Sequence, residues 1–365
     1  MRATINVRCT PELLSCDAPW LIRWFWSRSN PARLGRREST SSREPHSGGG
    51  ISAPSSSGRV PEPPVFRNRR KVTAVSGDNE LAFIGLGGMG GGMALCLRAA
   101  GFPLVVYNRT AAKSVPLAEA GARVAASIGD AGRDASIVLL SLSDEAAVEQ
   151  VLFGELAGRL RPGALVVDTS TVSPAYSADA SERLAKVGAR RLEACVIGNP
   201  PMARAGQLRI FTAGGSEEAD EARGVLEALG QEIVHVGPAG SACALKLSFN
   251  LILGNQIAAL AEAAQLAVSA GVDRDLFFTA VAKSGFSSPA LAFRAELMRT
   301  RRYEPPAFRS TLMEKDLRLA VSGAAAHDLE LPVTAGVAER FGAAIRAGDG
   351  DKDAAAIAEL RASVH

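Results

Sequence analysis

The sequence predicts an α/β fold: a doubly wound parallel sheet, then an all-α C-terminal domain, with a disordered N-terminal extension ahead of both. Three observations carry that prediction. From Leu81 to about Gly240, short apolar runs alternate with segments of helical period, the pattern of strands covered on both faces by crossover helices. Beyond Gly240 the strand signals stop and the pattern is helical. The first 77 residues are instead rich in Ser, Arg, Pro and Gly, a composition that buries too little apolar surface to offset the entropy of ordering. The expected organisation is a leader over 1–77, an α/β domain over 78–240 and an all-α domain over 241–365.

The leader holds 12 Arg against five acids, Glu12, Asp17, Glu38, Glu44 and Glu62. Its one apolar island is Trp20–Trp26. It reads as an organelle transit peptide for a chloroplast or mitochondrion. Alternatively it is a tail without a targeting role, or a start assigned too far upstream, on a soluble cytoplasmic protein. The acids count against a clean transit peptide.

Strands are expected at Leu81–Ile84, Leu104–Tyr107, Ile137–Leu140, Leu165–Val167, Leu192–Val196, Arg209–Ala213 and Ile233–Val236. Ala, Leu and charges at helical spacing mark Met89–Ala100, Pro174–Lys186 and Glu217–Leu229 as helices between them. Ser241–Ala270 reads as one long helix, interrupted in its apolar character by Glu262 and Gln265. No apolar run is read as a membrane span. That helix carries more apolar surface than one small domain covers, so a homodimer or homotetramer is expected.

The chain has 365 residues, 47% apolar and 22% charged, with a net charge of +3. The positive excess lies in the leader; the remainder is acidic, which argues against a nucleic-acid partner. Cys9, Cys16, Cys96, Cys195 and Cys243 are not at metal-ligand spacing. No metal site is expected, and the cysteines read as reduced packing residues.

The loop Gly85-Leu86-Gly87-Gly88-Met89-Gly90 fits Gly-x-Gly-x-x-Gly between a strand and a helix. In that context the first glycine permits a tight turn and the second admits a pyrophosphate. The third packs helix on strand. The phosphates would then meet a helix N-terminus. This predicts a Rossmann dinucleotide site over 78–240, against the plainer reading of a glycine-rich turn. The second strand ends at Asn108-Arg109-Thr110, where an NAD enzyme usually carries an acid for the ribose hydroxyl. An Arg fork suits a 2′-phosphate, so NADPH (NADP) is expected in preference to NADH. Otherwise Arg109 is a solvated turn residue.

Lys246 and Asn250 lie four apart on the long helix and share one face. A lysine there can give a proton to a carbonyl oxygen and take it back in the reverse reaction. Most helical lysines are merely solvated, but Leu245, Leu247, Phe249, Leu251 and Ile252 make this stretch apolar. Ser170 and Thr171 follow a strand at the carboxyl edge of the sheet. They suit a substrate carboxylate, or simply cap the next helix.

Taken in order, these motifs resemble the β-hydroxyacid dehydrogenase family, which includes 3-hydroxyisobutyrate dehydrogenase and glyoxylate/succinic semialdehyde reductase. The likeness runs from about Leu81 to the C-terminus. It rests on Gly85–Gly90 with Asn108–Thr110, Asp168-Thr-Ser170-Thr171-Val-Ser-Pro174, Glu193-Ala-Cys-Val-Ile-Gly198, Lys246 with Asn250, and Met313-Glu-Lys315-Asp316-Leu317. The resemblance implies that Lys246 is the acid/base and that Asn250 orients the substrate oxygen. It implies that Ser170, Thr171 and Gly198 bind substrate, and that Thr171, Leu142, Ser143 and Lys315 approach the cofactor. It also implies that 241–365 is a substrate and dimerisation domain.

Where the family has Ser-Gly-Gly against the substrate, this chain has Ile197-Gly198-Asn199 followed by Pro200-Pro201. Losing a hydroxyl donor changes discrimination strongly. Tyr303–Phe308 looks closest to the glyoxylate/succinic semialdehyde reductase branch. The function expected is therefore NADPH-dependent reduction of a small carboxylate-bearing aldehyde or ketone. The alternatives are oxidation of a 3-hydroxy acid of the 3-hydroxyisobutyrate type and a non-catalytic NADP-binding module. Imine reduction is also weighed, and the retained lysine counts against it.

Overall fold

The computed structural model describes residues 80–360. The leader read over 1–77, with its targeting alternatives, lies outside the described residues. Eight strands form one sheet in the order β3-β2-β1-β4-β5-β6-β7-β8. They are β1 (Leu81–Ile84), β2 (Leu104–Tyr107), β3 (Arg123–Val124), β4 (Ile137–Leu140), β5 (Leu165–Asp168), β6 (Arg190–Ile197), β7 (Leu208–Ala213) and β8 (Gly230–Gly237).

Along β1, Leu81 and Phe83 enter the hydrophobic layer on one face while Ala82 and Ile84 enter the layer on the other. That is the two-residue alternation of a strand, with both faces apolar because helices cover both. On the first face lie α1 (Gly88–Ala99), through Met93 and Leu97, and the helix Arg223–Leu229. The other face is covered in part by α2 (Pro174–Lys186), through Leu184.

The sheet departs from a wholly parallel one at a single pair. β7 runs antiparallel to β6, then β8 runs parallel to β7. The cause is loop length. Between β6 and β7 there is room only for the five-residue α3 (Pro200–Arg204), and a parallel crossover needs a dozen residues or more. Two smaller differences follow from local chemistry. The edge strand β3 has both residues exposed, so it carries no apolar pattern. The helix expected over Glu217–Leu229 is two, Ser216–Glu221 and Arg223–Leu229, divided at Ala222.

The all-α part begins with α4 (Ser241–Ser269), followed by α5 (Arg274–Lys283), α6 (Pro289–Thr300), α7 (Ser310–Ala325) and α8 (Pro332–Ala344). Its core gathers Ile257, Leu260, Phe278, Met298, Leu317 and Phe341. Gly254 lets α7 come close to α4: a Cβ there would lie 3.0 Å from both Leu317 Cδ2 and Met313 Sδ. The expectation that no segment reaches membrane-span length needs correction. By length and composition α4 is long and apolar enough to cross a membrane. Here it is the central helix of the α part, with Leu247, Ile257, Ala258 and Leu260 buried and with Leu266 and Val268 still exposed.

Candidate active site

The glycine loop is shaped by contacts no side chain could share. Gly85 has φ +97°, and a Cβ on it would sit 2.3 Å from Ser141 O. A Cβ on Gly90 would lie 2.0 Å from Gly85 O, whereas one on Gly87 meets nothing within 4 Å. The first and third glycines therefore close the turn, and the second leaves an open face for a phosphate. Leu86 and Met89 turn into the core, and Gly88 lies under Pro200, 3.3 Å from its Cγ by the same measure.

Asn108 ties this loop to β2: its Oδ1 accepts the Leu86 N–H at 2.9 Å. Its Nδ2 donates to Thr110 O at 3.0 Å. Gly85, Gly87, Asn108, Arg109, Thr110, Leu142 and Ser143 line one cleft of about 570 Å³. Lys113 and Arg309 line it too; the sequence reading had not singled them out. Arg109 and Lys113 are exposed and have no acidic partner among the described residues. The Asp144 carboxyl, although partly desolvated, is held below its usual range by the Ser143 hydroxyl and the Ala147 N–H.

A second cavity, about 530 Å³, brings together Gly198, Lys246 and Asn250. Lys246 is half-buried, and its Nζ donates to Val196 O at 2.9 Å. Burial pushes its pKa below the ordinary lysine value, partly opposed by Asp316 and assisted by the charge of Lys315. Asn250 is buried and donates from Nδ2 to Asp316 Oδ2 at 2.5 Å. Lys315 lies 2.8 Å from Asp316 Oδ1 and donates to Thr171 O at 2.6 Å. Lys315 therefore clasps the loop after β5 to α7.

Ser170 and Thr171 line neither cavity. The Ser170 hydroxyl accepts the Leu142 N–H at 3.0 Å and the residue is buried. It braces two loops through that oxygen, with its own proton left to donate, and Thr171 contributes its carbonyl to Lys315. Among the described residues no cluster of metal-ligating side chains occurs.

The fold also buries a polar network whose pairings do not show in the sequence. Arg191 and Asp168 form a fully buried pair at 2.8 Å. Arg191 Nη1 donates to Ser177 Oγ at 2.7 Å, and that hydroxyl donates to Glu193 Oε1 at 2.6 Å. Glu193 in turn accepts the N–H groups of Gly240, Ala242 and Cys243. The N-terminus of α4 is thus capped by a carboxylate from β6. Cys195 and Cys243 are buried beside this cap with their Sγ atoms 3.7 Å apart.

The profile of the NAD-binding domain of 6-phosphogluconate dehydrogenase matches residues 80–237. That of the NAD-binding region of NADP-dependent 3-hydroxyisobutyrate dehydrogenase matches residues 240–361. A probable mitochondrial 3-hydroxyisobutyrate dehydrogenase of Dictyostelium discoideum is 31% identical over 79% of this chain and 92% of its own length. The chain belongs to the β-hydroxyacid dehydrogenase family. Glyoxylate/succinic semialdehyde reductase 1 of Arabidopsis thaliana is likewise 31% identical, over 77% of this chain and 97% of its own. The crystal structure of 3-hydroxyisobutyrate dehydrogenase from Salmonella typhimurium superposes with a TM-score of 0.72 and 27% identity. That match covers 78% of this chain and all of the other.

As a β-hydroxyacid dehydrogenase, the protein is an NAD(P)-dependent oxidoreductase acting on hydroxyl or carbonyl groups. The open face at Gly87 and the adjoining cleft fit a dinucleotide. Ile197 lines the second cavity together with Gly198 and Asn199.

Proposed function

We propose that this protein is an NADPH-dependent reductase of a small aldehyde or keto acid, of the glyoxylate or succinic semialdehyde type. The observation that carries the proposal is Lys246, half-buried, with its pKa lowered and its side chain lining a cavity shared with Asn250. Bound in the cleft, the nicotinamide cofactor supplies the hydride. Lys246 delivers the proton to the carbonyl oxygen. Asn250, its amide held by Asp316, orients that oxygen, and the backbone at Gly198 shapes the wall opposite. Arg109 and Lys113 favour a cofactor bearing a 2′-phosphate, because two cations without acidic partners suit a dianion.

Oxidation of a 3-hydroxy acid of the 3-hydroxyisobutyrate type is the second reading, favoured by the profile matched over 240–361; it runs the same residues in reverse. The non-catalytic alternative is disfavoured by the retained lysine.

NADPH oxidation should be measured with glyoxylate and succinic semialdehyde, beside NADP reduction with 3-hydroxyisobutyrate. Carbonyl turnover supports the proposal. Turnover of 3-hydroxyisobutyrate alone replaces it with the second reading. Arg109→Ala should raise KM for NADPH by roughly ten- to a hundredfold, in the range of 1.5–3 kcal/mol for a charge-assisted bond, with little change for NADH. An equal rise for both cofactors refutes the assignment.

The assembly proposed is a dimer in which a second copy covers the exposed apolar face of α4 beyond the second cavity, where Leu266 and Val268 stand 73% and 42% exposed. Light scattering that returns a monomer at micromolar concentration overturns it.

A further inference from the structure

The cavity holding Lys246 is far larger and more apolar than a two-carbon acid needs. Its volume of about 530 Å³ falls in the range that accommodates drug-sized ligands, about 300–1,000 Å³. Its lining includes Ile197, Met202, Phe249, Leu253, Phe293 and Phe308, with Asn199, Asn250 and Gln256 as the uncharged polar side chains. Phe249 is fixed against Phe211, ring centroids 5.6 Å apart. The charged side chains on the lining are Lys246 and Arg294. Lys246 has the proton to deliver. The charge of Arg294 is neutralised by an ion pair with Asp353, itself buried and accepting the Ala307 and Phe308 N–H groups. Among the described lining residues, no cation without an acidic partner is left besides Lys246 for a distal carboxylate.

Resting on the NADPH-dependent carbonyl reduction proposed above, but departing from its small-acid substrate, we infer that the preferred substrate is an aldehyde or ketone whose reacting carbonyl carries a bulky apolar arm, branched alkyl or aryl, with Ile197, Phe249 and Phe293 as the residues that select it. A short polar substrate would leave water against apolar walls, whereas an apolar arm displaces it. Ile197 is decisive in kind: at this place the chain has a branched apolar side chain where its family's motif has a hydroxyl donor.

The test is kcat/KM for NADPH-dependent reduction across unbranched aldehydes from propanal to octanal and 3-phenylpropanal, with glyoxylate and succinic semialdehyde alongside. Reactivity at the carbonyl is nearly constant along the aldehyde series, so the trend reads the arm. The expected result is a rise of about fourfold per added methylene until the cavity fills, with 3-phenylpropanal ahead of succinic semialdehyde. A flat or falling series, with the two small acids preferred, overturns the inference and leaves the reductase reading intact. No turnover of any carbonyl compound overturns both.

Ile197→Ser provides the second measurement: it should lower kcat/KM for octanal and raise it for succinic semialdehyde. A uniform loss across the series also counts against the inference, because it indicates damage rather than selection. NADPH binding by the variant, followed by fluorescence, reports that the fold is kept.

Discussion

Lys246→Met is expected to lower kcat for carbonyl reduction by about 10²–10⁴-fold, the range that a positioned general acid contributes. NADPH affinity should stay near its original value, since Lys246 lines the second cavity and not the cofactor cleft. Met keeps the length and apolar stem of the side chain while removing the proton. The pH dependence separates this role from a packing role. Desolvation holds the Lys246 ammonium below the ordinary lysine pKa of about 10.4. Reduction requires the protonated form, so its rate should fall as pH rises through the lowered pKa. Oxidation of the alcohol requires the neutral amine and should rise over the same interval. In Lys246→Met both limbs should vanish from the residual rate. A variant that keeps either limb, or loses less than about tenfold, shows that another group moves the proton.

Arg191→Leu is expected to cost roughly 3–5 kcal/mol of folding stability, the price of removing one partner from a buried ion pair. Both side chains of the Arg191–Asp168 pair are fully buried, so water cannot take over the hydrogen bonds of the abandoned carboxylate. The damage extends beyond Asp168. Arg191 also donates to Ser177, which donates to Glu193, and Glu193 caps the helix that carries Lys246. Urea unfolding of the variant should show the loss as a lower midpoint. Pairing Arg191→Leu with Asp168→Leu should recover much of it, because no uncompensated charge then remains. A single substitution costing under about 1 kcal/mol would mean that the pair is solvated in the native protein.

How much of this was readable beforehand follows from how local each determinant is. The glycine loop was legible because its constraint is steric and lies within six residues. Lys246 and Asn250 were legible because helical spacing places both on one face in an otherwise apolar stretch. Ile197 signalled an altered pocket. Its full apolar character was not readable, because Phe249, Phe293 and Phe308 come from three separate segments. Ser170 reads as a substrate contact, since a hydroxyl at a strand end serves a ligand or a neighbouring backbone amide equally well; here its oxygen accepts the Leu142 N–H, and its proton is left to donate. The buried set of Arg191, Asp168, Ser177 and Glu193 was not legible as a network: Asp168 and Glu193 open two of the motifs, but their partners are polar residues scattered through strands and a helix. Antiparallel β7 was implicit in the short Gly198–Gln207 connection, which leaves no room for a crossover.

One consequence of α4 concerns how the molecule unfolds rather than how it reacts. Its first residues, Ala242 and Cys243, belong to the hydrophobic layer beneath the sheet, while Ile257 to Ala264 belong to the core of the helical part. The two halves therefore share a single rod. Melting the helical part would withdraw the side chains that close one face of the sheet, and loosening the sheet would release the Glu193 cap. The division visible in the sequence at Gly240 is therefore expected to be a change of architecture within one cooperative unit, so that a single urea transition should be seen for both parts.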